Sequence, residues 1–175
     1  MKKFSNGAEY SGSFAQNKYE GTGVLTYADS RNYQGQFKNN EPEGAGKMEF
    51  QDRTYTGRFK QSLFSGDGSL VYKNGVKFEG QFLRNQLNGK GTHYIPNGIS
   101  YNGYFKDNIK NGQGRMTWVN GTSYEGAFVD GKEEGKGVKS FPSGRTYKGG
   151  FREGQFEGQG VDTYKNGSQY EGSFK

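Results

Sequence analysis

The sequence contains no cysteine, which excludes disulfide frameworks, thiolate metal sites and cysteine nucleophiles together. Its single histidine, His93, leaves the usual zinc clusters without ligands. No stretch approaches the ~18 consecutive apolar residues of a transmembrane helix. The opening Met1, Lys2, Lys3 runs into polar residues rather than the apolar core of a secretory signal. The expectation is a soluble, cytoplasmic protein, in which the acceptor-like triplets at Asn120 and Asn166 are coincidental. Nowhere are apolar residues spaced at i, i+3, i+4, so essentially no helix is expected. Aliphatic and aromatic residues make up only 29% and mean hydropathy is -1.07, a balance that taken alone points to disorder.

What the chain does have is rings and glycines: 14 Phe, 13 Tyr and 31 Gly. Disordered segments are poor in aromatics, so these rings form a core. They fall in a repeat, the first thing to look for in such a sequence. The pattern aromatic-x-Gly-x-Phe begins at Tyr10, Tyr33, Tyr55, Phe78, Tyr101, Tyr124, Tyr147 and Tyr170. A Gly-x-Gly follows seven residues after each Phe but the last, as at Gly21/Gly23 and Gly135/Gly137, and four residues later comes a further large residue, as at Tyr27 or Phe141. A turn closes each unit, commonly Asn-Gly as at Asn74 and Gly75. The second unit is one residue short after Phe50. One array results: a half unit at 4–9, full units at 10–32, 33–54, 55–77, 78–100, 101–123, 124–146 and 147–169, and a half unit at 170–175.

Within a unit the periodicity is two, the alternation of β-strands. Tyr10, Gly12 and Phe14 share one face and Ser11 and Ser13 the other. Pairs such as Asn39-Asn40 and Asp130-Gly131 suit hairpin turns, which need positive φ. The fold class is therefore all-β, an elongated single-layer antiparallel β-sheet solenoid of repeated hairpins with a 23-residue period. Interior glycines weaken strands, so they need a reason here. The expectation is that both glycines of Gly-x-Gly leave room for rings from the adjoining strand. In the unit at Tyr124 the packed core is then Tyr124, Gly126, Phe128, Gly135, Gly137 and Phe141.

These residues resemble a known family. Tyr-Glu-Gly-Ala-Phe at Tyr124 to Phe128, followed by Gly135-Lys-Gly and the turn after Phe141, is similar to the membrane occupation and recognition nexus (MORN) repeat, over the whole chain. The chain departs from the pattern at the shortened second unit, at Ile95, and at Lys139 and Asp162, where the family often has an apolar or aromatic residue. The resemblance implies cytoskeletal, ciliary or membrane-contact assemblies, with lipid binding suggested by the family name.

Chemistry has little material. His93 sits where other units have Leu25, Met48 and Leu70, so it reads as a repeat-position filler. The Gly-Lys at Gly46 lacks the other landmarks of a phosphate loop. Glu133-Glu134 reads as a solvated pair rather than an acid/base couple. No catalytic residue, metal site or cofactor is expected. Nucleic acid is disfavoured, because the repeat already employs the rings that would stack on bases.

A candidate partner surface remains where the repeat is broken: Tyr94, Tyr104 and Ile109, with Lys106, Lys110 and Arg115 nearby. Exposed Tyr with Arg is the composition of interface hot spots. The first reading is a non-enzymatic scaffold for protein partners. An anionic phospholipid module is the alternative, since residues 61–124 carry a net charge of +4. A third is a targeting subunit for a separate enzyme. The strand at 170–174 offers an edge on which a second copy could pair, making a homodimer; alternatively it closes the last hairpin.

Overall fold

The computed structural model describes all 175 residues. The chain is all-β, antiparallel and without helices, and it divides into two compact units, Met1–Leu87 and Asn88–Lys175. The first unit contains β1 (Lys2–Lys3), β2 (Glu9–Ala15), β3 (Lys18–Thr26), β4 (Asn32–Lys38), β5 (Glu41–Glu49), β6 (Arg53–Lys60), β7 (Leu63–Tyr72) and β8 (Lys77–Leu83). The boundary falls within β9 (Gln86–Ile95), and the second unit continues with β10 (Ile99–Lys106), β11 (Ile109–Thr117), β12 (Ser123–Val129), β13 (Lys132–Ser140), β14 (Thr146–Arg152), β15 (Gln155–Thr163) and β16 (Gln169–Phe174). In each unit sheet order is chain order. β16 pairs with β15 from Thr163↔Gln169 to Gly158↔Phe174, closing the last hairpin.

Local chemistry fixes the meander. Both residues of the two-residue loops have positive φ, as at Asn39 (51°) and Asn40 (74°) or Asp107 (50°) and Asn108 (70°), the geometry that matches strand twist in a tight hairpin. The longer Asn-Gly loops close differently. Phe4 N donates to Ala8 O and Gly7 N to Phe4 O, while the Asn6 side chain accepts from Ala8 N. These are three-residue loops whose glycine, Gly7 at φ 89°, takes the left-handed position. Neighbouring hairpins also tie together: Gly131 N donates to Lys110 O and Gly154 N to Glu133 O.

The core of each unit is a row of tyrosines. Tyr10, Tyr33, Tyr55, Tyr101, Tyr124 and Tyr147 are fully buried, and each lays its ring along its own strand over the glycine two residues on. Each hydroxyl donates to the carbonyl three residues on, as Tyr10 to Ser13 O (2.9 Å) and Tyr124 to Ala127 O (3.0 Å). A Cβ built on Gly23 would lie 2.6 Å from Tyr10 Oη and 2.8 Å from its Cε2. The following Phe meets the Tyr edge-on, with centroids 5.0 Å apart for Tyr10 and Phe14, the favoured aromatic geometry. In three repeats a further ring stacks face to face, as Tyr55 on Phe64 (3.7 Å) and Tyr147 on Phe156 (3.8 Å).

The expectation for Gly-x-Gly is corrected by half. The second glycine lies under a ring, but the first does not. Gly21 and Gly135 sit at φ 73° and 68°, and a Cβ on either would face Ser13 or Ala127 on the outer surface. Here the register breaks: Gly12↔Gly23 is followed by Phe14↔Tyr19, and Gly126↔Gly137 by Ala127↔Glu134. These bulges need glycine for its backbone, not for ring space. Phe141 is also only half-buried, with the Arg145 guanidinium 5.1 Å from its ring centroid.

Burial pushes the phenols of Tyr55, Tyr101 and Tyr124 up to about 12. Above pH ~10 the unfolded chain loses these protons while the fold keeps them. Their contribution to stability is therefore complete below that pH and disappears as it rises through 12. Alkaline titration is expected to show phenolate absorbance of the core tyrosines appearing together with loss of β circular dichroism. Complete ionisation of all tyrosines near pH ~10 with the sheet intact would contradict ring burial.

Candidate functional site

The second unit has two distinct faces. The inner one carries the rings; the outer one carries the residues between them. β10 places Tyr101, Gly103 and Phe105 inward and Asn102, Tyr104 and Lys106 outward, as the pairs Tyr101↔His93 and Ser100↔Tyr94 require.

Tyr94, Tyr104 and Ile109 are exposed, at 43%, 51% and 48%. Lys106 and Ile109 form a cross-strand pair at the tip of one hairpin, and Tyr104 Cβ lies over Gly112, where an added Cβ would approach to 3.2 Å. Tyr104, Lys106 and Ile109 thus share one end of the outer face. Tyr94 does not join them. It faces Ser100, four residues along β10 from Tyr104, or roughly 14 Å at strand rise. Arg115 lies between, opposite Asn102 and Glu125.

Lys110 is a correction. It pairs with Phe105 and therefore lies on the inner face, its Nζ 5.5 Å from the Tyr101 centroid and 5.8 Å from that of Phe128. Its Nζ also meets Met116 Sδ at 3.1 Å. Burial pulls its pKa below the ordinary lysine value, against the opposing pull of Glu133. Lys110 occupies the repeat place held elsewhere by Tyr19, Phe64 and Phe156.

Glu133, at the same place one repeat on, is a second correction. It is not solvated: 6% of it is exposed, and Lys139 Nζ meets its oxygens at 3.0 and 2.9 Å. The Lys139 ammonium also lies 5.0 Å from the Trp118 centroid. Asp162, 2% exposed, is gripped by Arg145 through Nε (2.8 and 3.0 Å) and Nη2 (2.7 Å). His93 is half-buried on the same face, its pKa lowered by burial and by the neighbouring Lys110 charge. These are closed internal pairs within a ring-lined face. Nothing on that face sets a nucleophile beside a base, and there is no group of three or more metal-ligating side chains.

Outward, the second unit bears an open groove of about 900 Å³ lined by Gln113, Arg115, Glu125, Lys136, Val138 and Lys148, continuing to Val161 and Glu171. Arg115 faces Glu125 at 3.8 Å, whereas Lys136 and Lys148 form no ion pair within the chain. Sequence reasoning missed this groove because its residues are ordinary members of the repeat. The available signal was the small pair Ala127 and Gly150 at the outward place filled by Tyr104 in the preceding repeat.

The family model described as MORN repeat matches at residues 10–30, 33–54, 55–77, 78–100, 101–123, 124–144 and 147–169. No curated protein matches the sequence. Among solved structures, the chain is similar to the TCP domain of SAS-4 (dCPAP) of Drosophila Melanogaster in complex with a proline-rich motif of Ana2 (dSTIL). Identity is 12%, with 88% of this chain and 85% of that one covered and a TM-score of 0.52. It also aligns with the G-box domain of the microcephaly protein CPAP at 14% identity over 99% of this chain and 97% of that one, with a TM-score of 0.35. The SAS-4 domain shares the fold.

Proposed function

From the premise that this chain belongs to the MORN-repeat family, which its seven matched units establish, we propose that it is a non-enzymatic scaffold whose outer face in the second unit binds a protein partner. The observation that carries this reading is the exposed Tyr104, Lys106 and Ile109 cluster on the same face as the groove. Large exposed side chains beside an open groove are the anchors and pockets of protein interfaces. The fold tolerates such use: the SAS-4 domain is solved holding a proline-rich motif. The setting that the family resemblance implies is a cytoskeletal, ciliary or membrane-associated assembly, and a separate enzyme would be one kind of partner.

Charge favours a polypeptide over an anionic membrane. Arg115, Lys136 and Lys148 share the groove with Glu125 and Glu171, and a mixed-sign surface complements a specific partner better than a uniformly negative one. The test is affinity capture from the native cell with the full chain as bait, read by mass spectrometry. Tyr104→Ala with Ile109→Ala should weaken the principal partner by about 10-fold or more, as hot-spot truncations do. Tyr94→Ala should do less. Unchanged capture by the double variant would remove this cluster as the partner site, and absence of a captured partner together with salt-sensitive co-sedimentation with phosphoinositide vesicles would replace the protein reading with the lipid one.

A further inference from the structure

Resting on the scaffold reading, we propose that the groove of the second unit takes a polyproline II segment with two apolar residues three positions apart and an acidic residue between them. The argument begins with the groove's floor. Gly126, Gly137, Gly149 and Gly160 pair in sequence across β12 to β15, and the rings of Tyr124 and Tyr147 cover their inner side. On the outer side Ala127 and Gly150 leave the floor open.

Along that floor Val138 faces Lys148, and Lys148 faces Val161 on the next strand. The two valines are thus two strand spacings apart, ~9.6 Å at the usual ~4.8 Å per strand. A polyproline II helix turns once in three residues of 3.1 Å rise, so equivalent side chains recur every ~9.3 Å. A β-strand laid across the groove would present the same face every ~6.8 Å, and an α-helix every 5.4 Å. Only the polyproline period sets one apolar side chain on each valine.

The chemistry between the valines agrees. Lys148 stands midway and pairs with no acid of the chain, and Lys136 flanks it, so a carboxylate on the ligand's intervening residues has a free cation to meet. Polyproline II leaves its carbonyls without internal hydrogen bonds, and Gln113, Lys136 and Ser140 line the groove as donors. Because such a ligand is already extended in solution, little ordering cost opposes its binding.

Fluorescence anisotropy with the full chain tests this. The probe is a labelled Pro-Pro-Leu-Asp-Pro-Leu-Pro-Pro peptide. The comparisons are versions with Lys in place of Asp, with the two Leu adjacent, and with Gly in place of every Pro. Saturable binding of the probe, about tenfold weaker for each comparison, is expected. Lys148→Glu, at an exposed site, should reverse the preference between the Asp and Lys peptides, and Val161→Asp should abolish binding while circular dichroism stays unchanged. Failure of the probe to bind, equal binding of the glycine version, or indifference to Lys148→Glu overturns the proposal. Loss of the native partner in Lys148→Glu, with the probe unbound, overturns the polyproline chemistry and leaves the scaffold reading standing.

Discussion

Tyr124→Ala is expected to cost the second unit about 3–5 kcal/mol, the range for emptying a buried aromatic site, whereas Tyr124→Phe should cost about 1 kcal/mol. The difference follows from what the ring does. It is fully buried, meets Phe128 and Phe151 edge-on at 5.2 and 4.8 Å, and spans Gly126 and Gly137 to reach Ala127 O. Removing the ring uncovers two glycines that have no side chain to close the gap. Removing the hydroxyl takes away its bond to Ala127 O and a long contact of 3.5 Å to Glu134 O. The reciprocal change, Gly137→Ala, puts a Cβ 2.5 Å from Tyr124 Cε2 and should cost about 1–3 kcal/mol by overpacking. Because ring and glycine share one space, Tyr124→Ala with Gly137→Val should cost less than the sum of the single changes, since contacting sites couple. Urea unfolding followed by circular dichroism measures all of these; strict additivity, or a negligible cost for Tyr124→Ala, would show that the ring does not cover the glycine.

The strands and turns were legible because each has a local cause. Alternation of two fixes which residues share a face, and Asn40 or Gly131 at the second loop position is what positive φ selects. The bulge was not legible. Three residues, Glu20, Gly21 and Thr22, separate Tyr19 from Gly23, while Ser13 alone separates Gly12 from Phe14. Since the excess is two residues, parity survives. The faces come out right although the role of Gly21 comes out wrong, and a strict period-two reading cannot detect that difference.

The candidate surface divides along the same line. Tyr104 was readable as outward because it falls at the x of its pattern. Lys110 was grouped with it by sequence proximity and charge, yet its repeat place, shared with Tyr19 and Phe64, is an inward one. Position in the repeat outweighs chemical type there because the long lysine stem can lie over rings while its ammonium meets their faces. The breaks at Lys139 and Asp162 were visible as departures, but their partners were not. Glu133 lies beyond the bulge six residues before Lys139, and Arg145 lies seventeen residues before Asp162. The first pair is set by the bulge within β13 and the second by the pairing of β14 with β15, neither of which a local pattern encodes.

Those pairs carry the other large expected effect. Lys139→Met substitutes a residue that the repeat already uses at Met48 and Met116, so size and shape suit the site. It nevertheless strands the Glu133 carboxylate on a face where 6% of the residue is exposed. Breaking a buried ion pair by removing one partner costs about 3–5 kcal/mol; the Lys110 charge still acts on Glu133, so a loss toward the lower end of that range is expected in urea unfolding. Glu133→Phe with Lys139→Leu instead restores the residues of Phe64 and Leu70 at both places. Replacing a buried ion pair with packed apolar groups is neutral or stabilising by about 1–4 kcal/mol, so the double variant should match or exceed the parent in stability while the single variant falls well below it. Lys110 would lose the favourable charge of Glu133 in that double variant, which sets a limit on the gain, and adding Lys110→Leu, the residue at Leu87, should release it. A Lys139→Met variant as stable as the parent would mean that Glu133 reaches solvent, and that the inner face of the second unit is open rather than closed by its rings.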